Sequence, residues 1–272
     1  WEECGSGVNV VCDQDVLLDQ VSAACARTAD VYGGDKLRLL IEKTRKIDPQ
    51  VVLLKRGCRK FCTYCVCPQV SREQTLSFSD IKSRMTSLGE QGCRRIEFAG
   101  PCIGDWKDQA SGKIFDDVLA AALEEFQFRV EYLEIHPGDI TDETIKLFGH
   151  KNLSKEISIP IQSASDRVLK WMNRGYGAGH IENVFTSLVD SVPDVEITTD
   201  VIVGFPGETD QDVELTVEFI RKFQKNLKRV DYYSYSPRGT ASCKLGDRLS
   251  GEILDARFQL YQKVPHAYRK LE

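Results

Sequence analysis

The stretch Val51-Val52-Leu53-Leu54-Lys55-Arg56-Gly57-Cys58-Arg59-Lys60-Phe61-Cys62-Thr63-Tyr64-Cys65 decides the fold. Its first four residues are an apolar, β-branched run of the kind that forms a buried strand. The strand delivers three thiols at C-x₃-C-x₂-C spacing on one loop, and such a loop can wrap three corners of a cuboidal cluster. A fully protein-ligated [4Fe–4S] centre takes four cysteines, so three leave one iron free for an outside ligand. An open coordination position is what a reactive metal site requires. Cys67, two residues further on, is the rival fourth ligand and ranks lower, on the expectation that it turns away from the cluster face. A zinc site would ask for a second Cys or His pair, and His136, His150, His180 and His266 are scattered without that spacing.

Downstream of this loop, short β-branched runs alternate with longer amphipathic segments, the pattern of repeated βα units around a parallel sheet. Six strands are expected: Val51–Leu54, Arg95–Ala99, Tyr132–Ile135, Glu156–Ile159, Glu196–Val203 and Val230–Tyr235. Helices are expected over Asp80–Leu88, with Ser79 as N-cap, and over Thr209–Phe223, where apolar residues recur at helical spacing. The fold class that follows is α/β, an open partial (β/α)6 barrel. Residues 51–272 form this barrel with a C-terminal helix, and residues 1–50 read as an N-terminal extension or the remnant of an upstream cluster-binding domain. Because the first residue is Trp1 and not Met, the chain is expected to begin inside a longer gene product.

Composition limits the function classes. With 272 residues, 42% hydrophobic and 28% charged, the chain has the make-up of an ordinary globular domain rather than a disordered one. No apolar run reaches membrane-spanning length and no signal peptide is visible, so a cytoplasmic protein without a membrane partner is expected. A formal net charge of −5 argues against nucleic-acid binding by a uniformly basic surface, which leaves only a local basic patch for that role. Ten cysteines are many for such a chain, but they do not form the dense framework of a small disulfide domain.

The cysteine loop resembles the C-x₃-C-x-Φ-C signature of radical S-adenosylmethionine (SAM) enzymes, with Tyr64 at the aromatic position. More closely, the chain resembles the methylthiotransferases. The matching segments run in order: the loop with Pro68, then Ser71-Arg72-Glu73, Ile159-Pro160-Ile161-Gln162-Ser163-Ala164-Ser165-Asp166, Met172-Asn173-Arg174, Thr199 to Thr209, and Tyr235-Ser236-Pro237-Arg238-Gly239-Thr240. The resemblance implies that Cys58, Cys62 and Cys65 hold a [4Fe–4S] cluster. Its open iron binds the amino and carboxylate groups of SAM, and one electron cleaves SAM to methionine and a 5′-deoxyadenosyl radical. The protein then orients and shields chemistry that side chains alone cannot perform.

The matching segments fall at the C-terminal ends of the expected strands, the rim where barrels of parallel strands carry their active sites. The cysteine loop, Gly100–Asp105, His136-Pro137, Pro160–Ser163, Gly204–Glu208 and Ser236–Arg238 are therefore expected around one pocket. The resemblance assigns SAM contacts to Tyr64, Gly100, Gln162, Ser163, Asp200, Val203 and Gly204. Each has a plainer reading beside it. Gly100 is also a turn glycine, Ser163 or Ser165 a helix cap, Glu208 an acid at a helix start, and Arg72 with Glu73 a surface ion pair. His136 and Cys102 lie on the rim as candidates for substrate contact, although a lone residue of either type is more often incidental. Cys93 reads as a buried small hydrophobe, and Trp171 and Met172 as core.

The implied reaction is methylthiolation, in which CH₃S replaces a C–H hydrogen on tRNA adenosine or on a protein or peptide side chain. The cofactors are the cluster and SAM, with a second iron–sulfur cluster as an addition, and the partner is a one-electron reductant such as flavodoxin or ferredoxin. Methylthiotransferases carry an upstream domain with three further cysteines and a downstream TRAM domain. Here only Cys4, Cys12 and Cys25 precede the barrel, the chain stops at Glu272, and the Pro-Arg-x-Gly-Thr motif is shortened to Pro237-Arg238-Gly239-Thr240. A radical SAM enzyme of another reaction type and a non-catalytic electron-transfer protein are the alternatives.

Overall fold

A computed structural model of the chain describes residues 50–70, 72–236, 240–246, 249–262 and 268–271. The expected N-terminal extension, with Cys4, Cys12 and Cys25, lies outside the described residues apart from Gln50. So do Ser71 and Pro237-Arg238-Gly239.

In chain order the strands are β1 (Gln50–Leu53), β2 (Lys55–Arg56), β3 (Gln74–Thr75), β4 (Arg95–Ala99), β5 (Arg129–Val130), β6 (Leu133–Glu134), β7 (Glu156–Ser158), β8 (Glu196–Val203), β9 (Leu227–Ser234) and β10 (Tyr268–Leu271). The helices are α1 (Cys67–Val70), α2 (Phe78–Glu90), α3 (Phe115–Ala120), α4 (Asp142–Leu147), α5 (Asp166–Trp171), α6 (Ala178–Ser191), α7 (Asp210–Phe223) and α8 (Gly251–Gln262). One arc of sheet runs β1-β4-β5 and a second runs β6-β7-β8-β9-β10, with parallel pairing throughout. Parallel neighbours need a crossover, and a helix lies between each successive pair of main strands.

All six expected strands are present, with two differences. The third is broken at Glu131-Tyr132: β5 pairs with β4, β6 pairs with β7, and a bridge from Val130 to Leu153 carries the wall across the break. A seventh rung, β10, pairs with β9 beyond the expected six. The barrel therefore stays open, and its wall is one strand longer than the sequence pattern indicates.

The helices form for local reasons. Ser77, not Ser79, caps α2: its side chain accepts from the Asp80 N–H at 3.1 Å. Thr209 precedes α7, and its N–H reaches the Asp212 carboxylate at 2.7 Å. Val213, Val217, Ile220 and Phe223 then bury one stripe of that helix. The main core joins Val52, Ile96, Val130, Leu133, Ile157, Ile197 and Val230 from the strands to these helical stripes. A second cluster of Val168, Met172, Ile202, Phe205 and Tyr235 packs with Tyr64 and Trp171. Trp171 and Met172 are thus packing residues, and they lie directly under the cysteine loop. Among the described residues, no helix is long and apolar enough to cross a membrane.

Candidate active site

The cysteine loop leaves the barrel where the chain passes from β1 to the short antiparallel pair of β2 with β3. Gly57 turns it with φ +66°, and a Cβ there would stand 2.5 Å from the Arg72 carbonyl oxygen, so only glycine fits. Behind the loop lies a network of charge. Lys55, fully buried, pairs with Asp105 and, at 3.2 Å, with Glu73; Glu73 also holds Arg59 at 3.0 Å; and Lys60 pairs with Asp139. Glu73 is therefore spent on ion pairs that brace the loop.

In front, the end of α5 holds the loop. Thr63 N–H donates to the Met172 carbonyl at 3.0 Å and its hydroxyl to the Trp171 carbonyl at 2.8 Å. Asn173 stands in the left-handed region at φ 56°, which asparagine tolerates better than most residues, and its amide donates to the Lys60 and Phe61 carbonyls. The Met172-Asn173-Arg174 motif is thus the clasp of the cysteine loop. Asn173→Ala removes both side-chain bonds and is expected to cost about 1–2 kcal/mol. Its thermal midpoint should fall by a few degrees; an unchanged midpoint would show that the clasp carries no load.

Three sulfurs on this loop each receive a hydrogen bond from nitrogen. Cys58 accepts from the Lys60 N–H at 3.4 Å, Cys65 from the Cys67 N–H at 3.4 Å, and Cys62 from Nη1 of Arg174 at 3.5 Å. Such donors favour thiolate sulfur and tune iron–sulfur centres. Cys102 approaches Cys58 with the two sulfurs 3.5 Å apart. That contact holds the Cys58 thiol below the usual thiol range and pushes Cys102 up. Burial pushes the Cys65 and Cys67 thiols up. Among the described residues no three Cys, His, Asp or Glu side chains are gathered tightly enough for a single metal ion. Soft thiols spread along a loop instead match a multinuclear cluster, in which each sulfur takes a different iron. The donor set and the space beside it fit that group.

A cavity of about 210 Å³ opens beside the three sulfurs. Cys58, Cys62, Cys65, Tyr64, Gln162 and Asp200 all line it, so six of the ten candidate site residues come together from three separate parts of the chain. Cys67 lines it too, against the expectation that it turns away; it opens α1 rather than continuing an extended segment. Gln162 is held at φ 68° by ladder bonds, its N–H to the Asp200 carbonyl at 2.8 Å and its carbonyl from the Ile202 N–H at 3.0 Å. A non-glycine residue in that region is strained, and the strain accompanies a side chain that faces the cavity.

The other four candidates do not line the cavity. Gly100, at φ +139°, lies against the Lys55 backbone, with a Cβ position 2.6 Å from the Lys55 carbonyl oxygen. Ser163 is buried: its hydroxyl accepts from the Ser165 N–H at 3.2 Å and stands 3.5 Å from that of Thr216, while Ser165 caps α5. Val203 is wholly buried, and Gly204 backs onto α8, with its Cβ position 2.3 Å from Leu254. The expected rim segment Gly204–Glu208 points away from the pocket because Glu208 accepts from the Gly204 N–H at 2.9 Å and from Arg257 of α8 at 2.8 Å. Cys93 is half-buried rather than fully buried.

Glu134, Arg174 and Lys60, to which the sequence assigned no site role, also line the cavity, and so do His136 and Cys102, the rim candidates for substrate contact. Arg174 is buried and donates to the Tyr176 hydroxyl (2.7 Å), the Tyr64 hydroxyl (2.9 Å) and the Pro160 carbonyl (2.7 Å) as well as to Cys62. Glu134 keeps an accessible surface through the cavity mouth, yet protein surrounds it closely enough that burial pushes its carboxyl up. Burial, with the charges of Glu134 and Asp231, pushes Asp200 up to about 7, against the pull of Arg229 and Arg174. The cavity is thus lined by two acids that a bound hydroxyl or cation would favour in their ionised form. A larger surface depression, bordered by Gln127, His150 and Asn152, lies at the opposite, N-terminal end of the strands, away from the thiols.

The Radical SAM superfamily profile matches residues 52–220. Among curated proteins, the chain is 32% identical over 255 residues to the tRNA-2-methylthio-N(6)-dimethylallyladenosine synthase of Trichlorobacter lovleyi, covering 90% of this chain and 57% of that protein. It is 31% identical over 212 residues to the synthase of the same name from Carboxydothermus hydrogenoformans, covering 76% and 48%. The chain therefore spans about half the length of the curated relatives it matches. Among solved structures, methylornithine synthase superposes with a TM-score of 0.51 at 10% identity, covering 81% of this chain and 70% of that one. Coproporphyrinogen III oxidase from Escherichia coli superposes with 0.51 at 13% identity, covering 77% and 51%. The chain belongs to the radical SAM superfamily, and within it resembles the methylthiotransferases.

Proposed function

We propose that the protein is a radical SAM methylthiotransferase that acts on adenosine in tRNA. The observation that carries the reading is the meeting, at one cavity, of three N–H-bonded cysteine sulfurs with Gln162, Arg174, Glu134 and Asp200. The names of the curated relatives support the tRNA substrate. When bound, the cluster supplies the single electron that cleaves SAM.

This chain's own residues do the rest. Cys58, Cys62 and Cys65 hold the cluster. Arg174 offers a fixed positive charge beside Cys62, suited to a carboxylate group of the ligand. Gln162 can donate and accept at a ribose or amino-acid group, and Glu134 and Asp200 accept from hydroxyl or ammonium donors. Tyr64 walls the cavity. A one-electron reductant such as flavodoxin or ferredoxin completes the system, and the cytoplasm is its compartment. A second cluster would be the sulfur source: about eight irons in a full-length protein would mean two clusters, about four would mean one.

The deciding experiment is mass spectrometry of tRNA and of total protein from cells with and without the gene. Loss of a methylthio mark from tRNA supports the reading. Loss from a protein or peptide alone would move the substrate to that class, and loss from neither would overturn methylthiolation.

The acids predict a pH dependence. Below about pH 7 Asp200 takes up a proton, and a ligand that needs its carboxylate must displace that proton to bind. Affinity for SAM is therefore expected to rise with pH by up to about tenfold per unit below 7 and to level off above it. Asp200→Asn should flatten the profile. Equilibrium dialysis between pH 5.5 and 8.5, with the oxidised cluster in place, measures it; a flat wild-type profile would remove Asp200 from the contact.

A further inference from the structure

His136 follows the third strand and caps the short turn Pro137–Asp139. It is only 5% exposed, yet it lines the cavity that holds the cysteine sulfurs. Its two ring nitrogens have different fates. Nδ1 accepts a hydrogen bond from the Gly138 N–H at 3.2 Å. Nε2 is buried and has no hydrogen-bond partner among the described residues.

A neutral imidazole carries its proton on one nitrogen and a lone pair on the other. Nδ1 is the acceptor, so the proton is on Nε2. The surroundings keep the ring neutral: burial, with the charges of Arg174 and Lys60 and with His180 nearby, pushes its pKa down to about 2. Asp139 does not reverse the assignment. Its free oxygen stands 3.8 Å from Nδ1, beyond hydrogen-bond reach, and its other oxygen is held by Lys60. A proton on Nδ1 would set two donors, that proton and the Gly138 N–H, against each other.

The ring is also held in place. Tyr176 packs against it edge-on, with centroids 5.1 Å apart and planes at 65°, and the Tyr176 hydroxyl is itself fixed by Arg174. Gly138 contributes by having no side chain, since a Cβ there would lie 3.3 Å from Nδ1 and 3.2 Å from Tyr176. A buried N–H left without an acceptor is costly, and most such groups in folded proteins are paired. Here the unpaired donor belongs to a rigidly held ring, and that ring's residue lines a cavity that a ligand can enter.

We propose that His136 is a positioning donor, whose Nε2–H binds one uncharged or anionic acceptor atom of the molecule held in the cavity. A ring nitrogen, a hydroxyl or a carbonyl or carboxylate oxygen all satisfy it. Both SAM and an adenosine substrate carry such atoms, and the test separates them. The proposal rests on the reading of this cavity as the reaction site.

The test uses the cluster-loaded protein as wild type, His136→Phe and His136→Gln. Phe keeps a flat ring and removes the donor; Gln keeps an amide N–H that can reach the Nε2 position. Dissociation constants are measured for two probes, S-adenosylhomocysteine and unmodified tRNA, alongside iron content and thermal midpoint. His136→Phe is expected to weaken one probe about tenfold, the effect of one lost hydrogen bond, with iron content unchanged, and Gln to recover most of the loss. Weaker S-adenosylhomocysteine binding assigns the acceptor to the cofactor, and weaker tRNA binding assigns it to the substrate. Wild-type affinity of His136→Phe for both probes overturns the proposal while leaving the reading of the site intact. A wild type that takes up no iron and binds neither probe overturns both. Long-range ¹H–¹⁵N correlation on the histidine-labelled protein reports the tautomer without any ligand, and a proton found on Nδ1 also overturns the proposal.

Discussion

Replacing any one of Cys58, Cys62 or Cys65 with alanine is expected to abolish the cluster's visible absorbance and all formation of 5′-deoxyadenosine, whereas Cys67→Ala and Cys102→Ala retain both. Five thiols border the cavity, so the assignment rests on how they are held. The three assigned sulfurs lie on a loop clasped by Thr63 and Asn173 from one side and by the Lys55 ion pairs from the other. Each of them already accepts an N–H donor, which a thiolate needs once its proton has gone. Cys67 lacks such a donor among the hydrogen bonds described and instead gives its own N–H to Cys65. Cys102 belongs to another strand end, with a left-handed φ of 51°, and meets Cys58 only through a sulfur–sulfur contact of 3.5 Å. Iron analysis and absorbance of the five single variants after anaerobic reconstitution decide the matter. A Cys102 variant without cluster beside a Cys58 variant with one would reverse the roles of that pair.

The second large effect is expected at Arg174. Among the described residues no carboxylate pairs with it, although it is buried and its guanidinium cannot be deprotonated. A buried cation without an anion is costly, so its counter-charge must come from the thiolates it faces and from the ligand. Arg174→Leu is expected to weaken binding of S-adenosylhomocysteine by about a hundredfold, near 3 kcal/mol, and to slow 5′-deoxyadenosine formation at least as much. Arg174→Lys keeps the charge but loses the planar fork that reaches Tyr176, Tyr64, Pro160 and Cys62 together, and should recover less than about a tenth of the loss. Affinity of Arg174→Leu within about threefold of wild type would make the residue a clasp of the loop and nothing more.

Much of the site was legible as local pattern. The apolar run before the cysteines, the thiol spacing and the alternation of strand with helix are all properties of short windows, and β1, β4, β7, β8 and β9 fall within a few residues of where those windows put them. The misplaced candidates share one cause. Position at a strand's C-terminal end says which residues reach the rim, but not which way each side chain turns there. Ser163 and Gln162 are adjacent, yet the left-handed backbone at Gln162 goes with a side chain facing the cavity, while Ser163 ties into α7 through Thr216. Gly204 and Glu208 turn outward because α8 brings Arg257 to meet Glu208, a partner 49 residues away.

By itself the sequence determined the parallel α/β order, the loop that gathers three thiols and the helical stripes, because strand alternation, helical period and glycine-dependent turns are encoded within a few residues. Only the tertiary structure decided that Arg174 reaches Cys62 across 112 positions, that Cys102 meets Cys58 across 44, and that His136 lines the same cavity. Those meetings depend on how far each strand is staggered along the barrel wall and on the backbone angles at its end. Both are set by the packing of the whole wall against its helices, and no short window contains that packing.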